Sequence, residues 1–505
     1  MLVRYLISIT QSPRFITHFD LVAMTPRTIL PMNIAHVLVL TVTLFNLSCM
    51  DKVEIISKQD ALYDIEYLRD KLIEIHPNLF IHRTPEEDSL LFLQLKGEIR
   101  SNLSLSEFYD ISARYTTSFK DGHTFPSMSA LENWYQNSLS ENNTIMPFDV
   151  NFKEDWFYLE NIYVPEIQDA TGAKLISIND ITSTEIVDKF QNYYSKIAAK
   201  IDNAHARLFK AYFFKAFGPF DTWAIKYQMS DKKVVEIVLE GLSIEAFEEL
   251  KNEKSNSNVP MIPPYEFQFI SENVTALLTV NYMPDPEQFR EFADSIFNEF
   301  DQRNTNNLII DMRNNGGGNS ALGDVLYAYL SDKPYTDGRM YIKTSKEIKD
   351  WYRSERQGHP LYDLVINGQD NELVLYPDTV KTIPEKVHYP FKGNVFLLIS
   401  RKTYSSGHMF AGLFKCNDIG VMIGQETGQA TKTVGDAYSF KLPNSGFDIS
   451  VSYKIFESMC ELSYFHGFQP HYTVEYTPEE LSSGIDKELI FTQNLIDQRK
   501  LSSAE

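Results

Sequence analysis

Ser405 stands where a serine hydroxyl could act as a nucleophile. It lies in Val395–Phe414, VFLLISRKTYSSGHMFAGLF, where a continuous apolar run, Val395 to Ile399, precedes Met409, Phe410, Leu413 and Phe414 at helical spacing. A buried strand therefore runs through a short loop into a helix whose first residues are the serine pair. The N–H groups of Ser406 and Gly407 have no partner inside that helix, so they could donate to an oxyanion forming beside the Ser405 hydroxyl. The plain alternative is an N-cap, since serine is among the preferred capping residues. A base would have to come from elsewhere, and His123 is a candidate: it follows Lys120-Asp121-Gly122, a strong turn signal at a helix exit. Taken alone, a loop imidazole is an ordinary surface feature. Gly316, Gly317 and Gly318, directly after the apolar run that ends at Asp311, allow backbone amides close to a ligand. Phosphate is the first ligand to consider, but the run lacks the lysine and Ser/Thr of a P-loop and the spacing of a dinucleotide fingerprint.

The elements that must position these groups follow from periodicity. Leu62, Ile65, Leu68, Leu72 and Ile75 share one helical face that ends before Pro77, and Ser104 with Glu107 forms a capping box ahead of Phe108, Ile111, Tyr115 and Phe119. Residues 146 to 240 read as strands at Trp156–Ile162, Ala173–Ile178 and Val234–Leu239, with a helix over Thr184–Tyr194. Asn252–Pro264 is polar and proline-rich, a plausible linker. From Thr275 the order is strand (Ala276–Val280), helix (Pro286–Phe300), strand (Leu308–Asp311), glycine turn, helix (Leu322–Leu330), and then the strand and helix around Ser405. Such alternation predicts βαβ units on a largely parallel sheet, with active groups in loops at the carboxyl ends of the strands. The fold class is mixed α/β, in several parts: a helical region at 50–145, a β-rich insert at 146–251 and an α/β region at 265–497.

The chain has 505 residues and a formal net charge of -21, which argues against nucleic acid, whose phosphates need a basic surface. Cys49, Cys416 and Cys460 lack the spacing of a zinc site or a disulfide framework, so at most one disulfide can form and no metal or cofactor is expected. Ile34–Ser48 is uncharged, mostly apolar and short for a membrane span, and it ends at Cys49. It reads as an export signal within 1–49, with Arg27 as the positive region if translation starts at Met24. Leu47-Ser48-Cys49 is similar to a bacterial lipoprotein processing site, departing from it at Asn46; a lipid anchor at Cys49 in the cell envelope is expected.

Three segments together, KDGHT at 120–124, DMRNNGGGN at 311–319 and TYSSGHMFAG at 403–412, resemble the signature set of the S41 serine peptidases, the family of the C-terminal processing (tail-specific) proteases and the tricorn core protease. His76-Pro77-Asn78-Leu79, GQETG at 424–428, LPNSG at 442–446 and Gly467–Pro470 extend the likeness to roughly residues 55–497. The resemblance implies a ClpP/crotonase-like catalytic region and a PDZ-like insert, in which KLISIND at 174–180 is similar to the strand and turn before a PDZ helix. The order of His123, insert and Ser405 resembles the tricorn layout. It implies an endopeptidase of extended or unfolded polypeptide, with Ser405 as nucleophile, His123 as general base, and an oxyanion hole from the amide of Ser406 and one of Gly316 or Gly317.

The processing proteases use a Ser/Lys dyad, but the position of their lysine is Ala430 here. Lys432, two residues on, would need a shifted loop. The acid that orients the histidine is open: Glu461 is nearest in sequence to the family's region, and Asp121 and Glu426 are rivals. His408 stands where relatives often carry an acid, and an exposed position in the helix's first turn is as good a reading of it as a functional one. The other function class on this fold is a non-catalytic binder of peptide or apolar ligand, as in the retinoid-binding proteins of the eye. Ser405 and His123 together favour the enzyme.

Overall fold

The computed structural model describes residues 55–502, apart from 140–143, 154–155, 191–207, 257–261, 272–274, 337, 377–381, 383, 478–479 and 481–484. The Ile34–Ser48 run and Cys49 lie outside the described residues. Among those described, no helix is long and apolar enough to cross a membrane.

A six-stranded sheet carries the glycine turn and the serine loop. Its order is Tyr265–Ser271, Thr275–Val280, Asn307–Asp311, Asn394–Ile399, Val421–Gly424 and Tyr472–Thr473. The first pair is antiparallel and the rest are parallel, which agrees with the largely parallel sheet expected from the alternation of elements. Such a sheet must be covered on both faces, and successive residues along a strand point to opposite faces. Leu308, Ile310, Leu397 and Ile399 accordingly join the core formed with helices Pro286–Gln302, Ala321–Leu330 and Ser406–Cys416. Ile309, Phe396 and Leu398 pack with Ile496 of the last helix, Lys487–Ser502, on the other side. Helix Pro286–Gln302 begins where it does because Asp285 accepts from the Glu287 N–H (2.8 Å) and proline fills the first turn. Phe289, Ala293, Ile296, Phe297 and Phe300 form its buried stripe.

A second sheet is antiparallel, ordered Glu372–Leu375, Arg339–Thr344, Asp448–Glu457 and Lys432–Lys441. Local pattern alone did not announce it. Its long hairpin turns over at LPNSG, where Gly446 takes φ +72°. The amides of Asn444 and Ser445 donate to the buried carboxylate of Asp64 (3.0 and 2.7 Å), which ties the hairpin tip to helix Lys58–Ile75. That helix buries Ala61, Ile65, Leu68, Leu72 and Ile75 and stops at His76, ahead of Pro77. Helix Leu105–Thr117 has the expected capping box of Ser104 and Glu107. Both helices share a core with Ile449, Val451 and Tyr453 of the second sheet. After the second helix, the two-residue strand Phe125–Pro126 pairs with Ser450 and Ile449. This short pairing delivers the N-terminal histidine to the C-terminal sheet.

Between them in sequence lies an antiparallel sheet ordered Phe148–Lys153, Trp156–Ile162, Lys174–Ile178, Thr222–Gln228 and Val234–Glu240, with helices Ser183–Phe190 and Phe209–Phe217. The Asn252–Pro264 stretch is not linker throughout: Asn252 to Asn256 close the helix Ile244–Asn256.

Candidate active site

Ser405 is not an N-cap in the ordinary sense. Its side chain makes no capping hydrogen bond to helix Ser406–Cys416, and its backbone sits at φ +49°, ψ −124°. A non-glycine residue in such a conformation costs about 1–3 kcal/mol and persists only where its surroundings impose it. Here the surroundings are specific. The Ser405 N–H donates to Gln429 Oε1 (2.8 Å), and Gln429 Nε2 donates in turn to Thr433 Oγ1 (3.0 Å). The Tyr404 N–H donates to the Asn315 carbonyl (2.9 Å), so the serine loop leans on the glycine turn. The hydroxyl thus makes no helix-cap bond, and an open cavity of about 500 Å³ is lined by Ser405, Ser406 and His123 among others.

The glycine turn is built around Asn315. This fully buried side chain donates to the Val280 carbonyl (2.9 Å) and accepts from the Gly317 N–H (2.9 Å). The turn is pinned from outside as well: the Met283 N–H donates to Gly317 O, and the Asn319 N–H to Met283 O. Below it, Arg313 is clamped by Asp311 and Asp486 (both reached by Nη2, at 2.6 and 2.7 Å) and by Glu488 (3.1 Å). Gly317 has φ +111°, and a Cβ on it would lie 2.7 Å from Ser405 Cβ. Only glycine fits there.

This packing alters the expected set of amide donors. The Gly317 N–H is taken by Asn315, and neither Gly316 nor Gly317 lines the cavity. Gly318 does line it, and the N–H groups of Gly318 and Ser406 have no partner among the described residues. The Ser406 hydroxyl donates to the Gly318 carbonyl (2.6 Å), which holds these two amides in one unit. The Asn-Asn before the glycines was the signal in the sequence that could have identified the inner donor pattern.

His123 reaches the same cavity from the other side. Its ring stacks on Tyr404, the neighbour of Ser405, with centroids 5.7 Å apart and planes at 29°. Gly435 leaves room beneath the ring: a Cβ there would be 3.4 Å from His123 Cε1. Among the described residues, no hydrogen bond joins the ring to the Ser405 hydroxyl. The His123 carbonyl accepts from Ser450 Oγ (2.8 Å), and its N–H donates to Asp121 Oδ1 (2.9 Å). Asp121 is buried. Burial opposes its charge, but hydrogen bonds and the imidazoles of His123 and His76 outweigh that and hold its carboxyl well below the usual range.

Glu461 is not beside the histidine. Its carboxylate pairs with Lys415 (2.5 Å), and it does not line the cavity. Glu426 accepts from the Gly467 N–H (2.6 Å) and is likewise occupied. Lys432 is held by Glu457 (2.5 Å) and stacks over Tyr464 at 4.9 Å. The Glu457 hydrogen bond raises its pKa, the opposite of what a lysine base needs. His408 corrects another expectation, since it is buried rather than exposed. Burial pushes its pKa down to about 3, and its Nδ1 meets Thr427 Oγ1 at 2.9 Å, so it is a neutral strut between the helix and the 427–430 loop. Cys416, at the end of the same helix, is disulfide-bonded to Cys460.

Comparison with known proteins fits this arrangement. Residues 275–474 match the sequence model of peptidase family S41. No curated protein matches the chain. Among solved structures, mature CPAF aligns over 84% of this chain and 94% of its own at 15% identity and a TM-score of 0.56. Mature CPAF complexed with lactacystin aligns over 87% and 98% at 14% identity and a TM-score of 0.58. At such identities the likeness shows a shared fold. The family match spans both the glycine turn and the serine loop, so residues 275–474 are similar to the domain of the S41 serine peptidases, hydrolases of peptide bonds.

Proposed function

We propose that this protein is an endopeptidase that cleaves extended or unfolded polypeptide through an acyl-enzyme on Ser405, with His123 as the base. The observation that carries this reading is Ser405 itself. It occupies a cap position without capping, in a strained conformation, and lines the cavity that His123 also lines. Imidazole takes the hydroxyl proton as Oγ attacks the substrate carbonyl; the resulting oxyanion meets the amides of Ser406 and Gly318. Collapse releases the amine product with a proton from His123, and water then hydrolyses the ester by the same route in reverse. The absence of a Ser405–His123 hydrogen bond is compatible with this, since catalytic hydrogen bonds often tighten only when substrate is bound.

The cavity favours an open chain over a folded surface. The lining includes Thr431, just before strand Lys432–Lys441, Thr433 and Gly435 within that strand, and the apolar Met409, Leu413 and Phe468. A reduced, carboxymethylated protein should be cut at least tenfold faster than its native form. A rapid acid quench should trap the acyl-enzyme as a mass increment on the Ser405 peptide. Equal rates on both forms would remove the preference for unfolded chains, and an increment on another residue would move the nucleophile.

The same reading places the protein outside the cytoplasm, anchored at Cys49. It is supported by the apolar run ending at that cysteine and by the Cys416–Cys460 disulfide, a bond that persists in oxidising compartments. Intact-mass measurement on protein from its own membranes should show a chain beginning at Cys49 with bound acyl groups. A chain that keeps Ile34–Ser48, or a free Cys49 amine without lipid, would overturn the anchor.

A further inference from the structure

We propose that Asp121 is the carboxylate that positions His123, and that His76, Thr124 and Ser452 hold Asp121 in place for this task. The proposal rests on the reading of His123 as the base. Its starting point is an orphan: His123 Nδ1 is buried and has no hydrogen-bond partner, although Asp121 Oδ1 is only 3.6 Å away. Closing that gap to an ordinary hydrogen bond needs a ring movement of about 0.7 Å. A base that accepts the serine proton at Nε2 must carry its other proton on Nδ1, and an acceptor at Nδ1 selects that tautomer. The transfer then balances simply. The Ser405 proton goes to Nε2, the Nδ1 proton stays where it was, and Asp121 remains ionised beside the imidazolium.

Asp121 is fixed from behind. Its Oδ2 accepts from Thr124 Oγ1 (2.5 Å) and Ser452 Oγ (2.7 Å) and meets His76 Nε2 at 3.2 Å. The Asn78 N–H donates to His76 Nδ1 (3.2 Å), so the proton of the neutral ring lies on Nε2 and points at Asp121. Three donors thus occupy Oδ2 and leave Oδ1 to His123 alone, through its N–H and its ring. Tyr404 and Gly435 also flank the ring, and the two carboxylates that line the same cavity, Asp436 and Glu457, are paired with Lys454 and Lys432. Glu461 and Glu426 are engaged elsewhere.

A double-mutant cycle separates positioning from mere structural support. Asp121→Asn keeps the shape of the side chain, and we expect it to lower kcat and the rate of fluorophosphonate labelling by about 10²- to 10⁴-fold with KM changed less than threefold. In a His123→Ala background the same substitution should change the residual rate by less than twofold, because a residue acting only through His123 has nothing left to act on. A loss of equal size in both backgrounds, or no loss in either, would overturn the proposal. So would a background-dependent loss from Glu461→Gln in its place. If Asp121→Asn does not fold, His76→Phe carries the same test, with an expected loss of about tenfold that vanishes without His123. Failure of the parent reading is seen separately, as full activity of His123→Ala alone.

Discussion

Ser405→Ala should abolish both fluorophosphonate labelling and peptide hydrolysis, a loss on the order of 10⁴-fold or more. Labelling requires an activated oxygen, and of the two adjacent serines Ser405 has the freer hydroxyl. Ser405 Oγ makes no cap bond and opens to the cavity, whereas Ser406 Oγ is spent on the Gly318 carbonyl. Ser406→Ala keeps its amide and so should still label. It loses the tie between the helix and the glycine turn, and a hydrogen bond of that kind contributes about 1 kcal/mol. The expected cost is therefore roughly tenfold at most. Labelling that survives Ser405→Ala but disappears in Ser406→Ala would show that the wrong serine was chosen. Circular dichroism of both variants should match the parent, since neither hydroxyl supports the fold's core.

His123→Ala should be folded and lose on the order of a thousandfold in rate, whereas Lys432→Ala should retain most activity. The contrast follows from where the two bases sit. His123 lines the cavity with Ser405 and stacks on the adjacent Tyr404. Lys432 is engaged by Glu457 and held charged by it, so it has no lone pair to offer near neutral pH. A lysine base must be desolvated and deprotonated, and this one is neither. Its removal leaves Glu457 only the long hydrogen bond from the Tyr341 hydroxyl (3.5 Å), which predicts a modest loss of thermal stability, under about 1 kcal/mol for a partly exposed pair. A dead Lys432→Ala beside an active His123→Ala would restore the dyad mechanism despite Ala430.

Much of the scaffold was legible because its signals are local. The continuous apolar run at Val395–Ile399 marks a strand buried on both faces, and the structure has Asn394–Ile399 there. The capping box at Ser104 and Glu107, and the stop before Pro77, set helix ends by hydrogen bonds within a few residues. The three glycines after Asp311 marked a close backbone approach, and Gly317 indeed abuts Ser405. Ser405 and His123, singled out from motifs separated by more than half of the chain, line one cavity.

What the sequence by itself determined, then, is which residues are chemically capable and which short elements carry them, since strand runs, caps and turns depend on neighbours along the chain. Tertiary structure alone decided how those groups are used, because each use depends on a partner far away in sequence. The Ser405 hydroxyl is freed from capping by Gln429 and Asn315, not by its own helix. The Gly317 amide is withdrawn by Asn315, which leaves Gly318 on the cavity wall. His408 is buried because Phe468 and Thr427 close over a helix turn that reads as exposed. Asp121, two residues from His123, is reached by Ser452 from strand Asp448–Glu457, while Lys415 pairs with Glu461. No local pattern encodes which carboxylate a distant strand will reach, and that contact is settled only when the N-terminal helices dock on the second sheet.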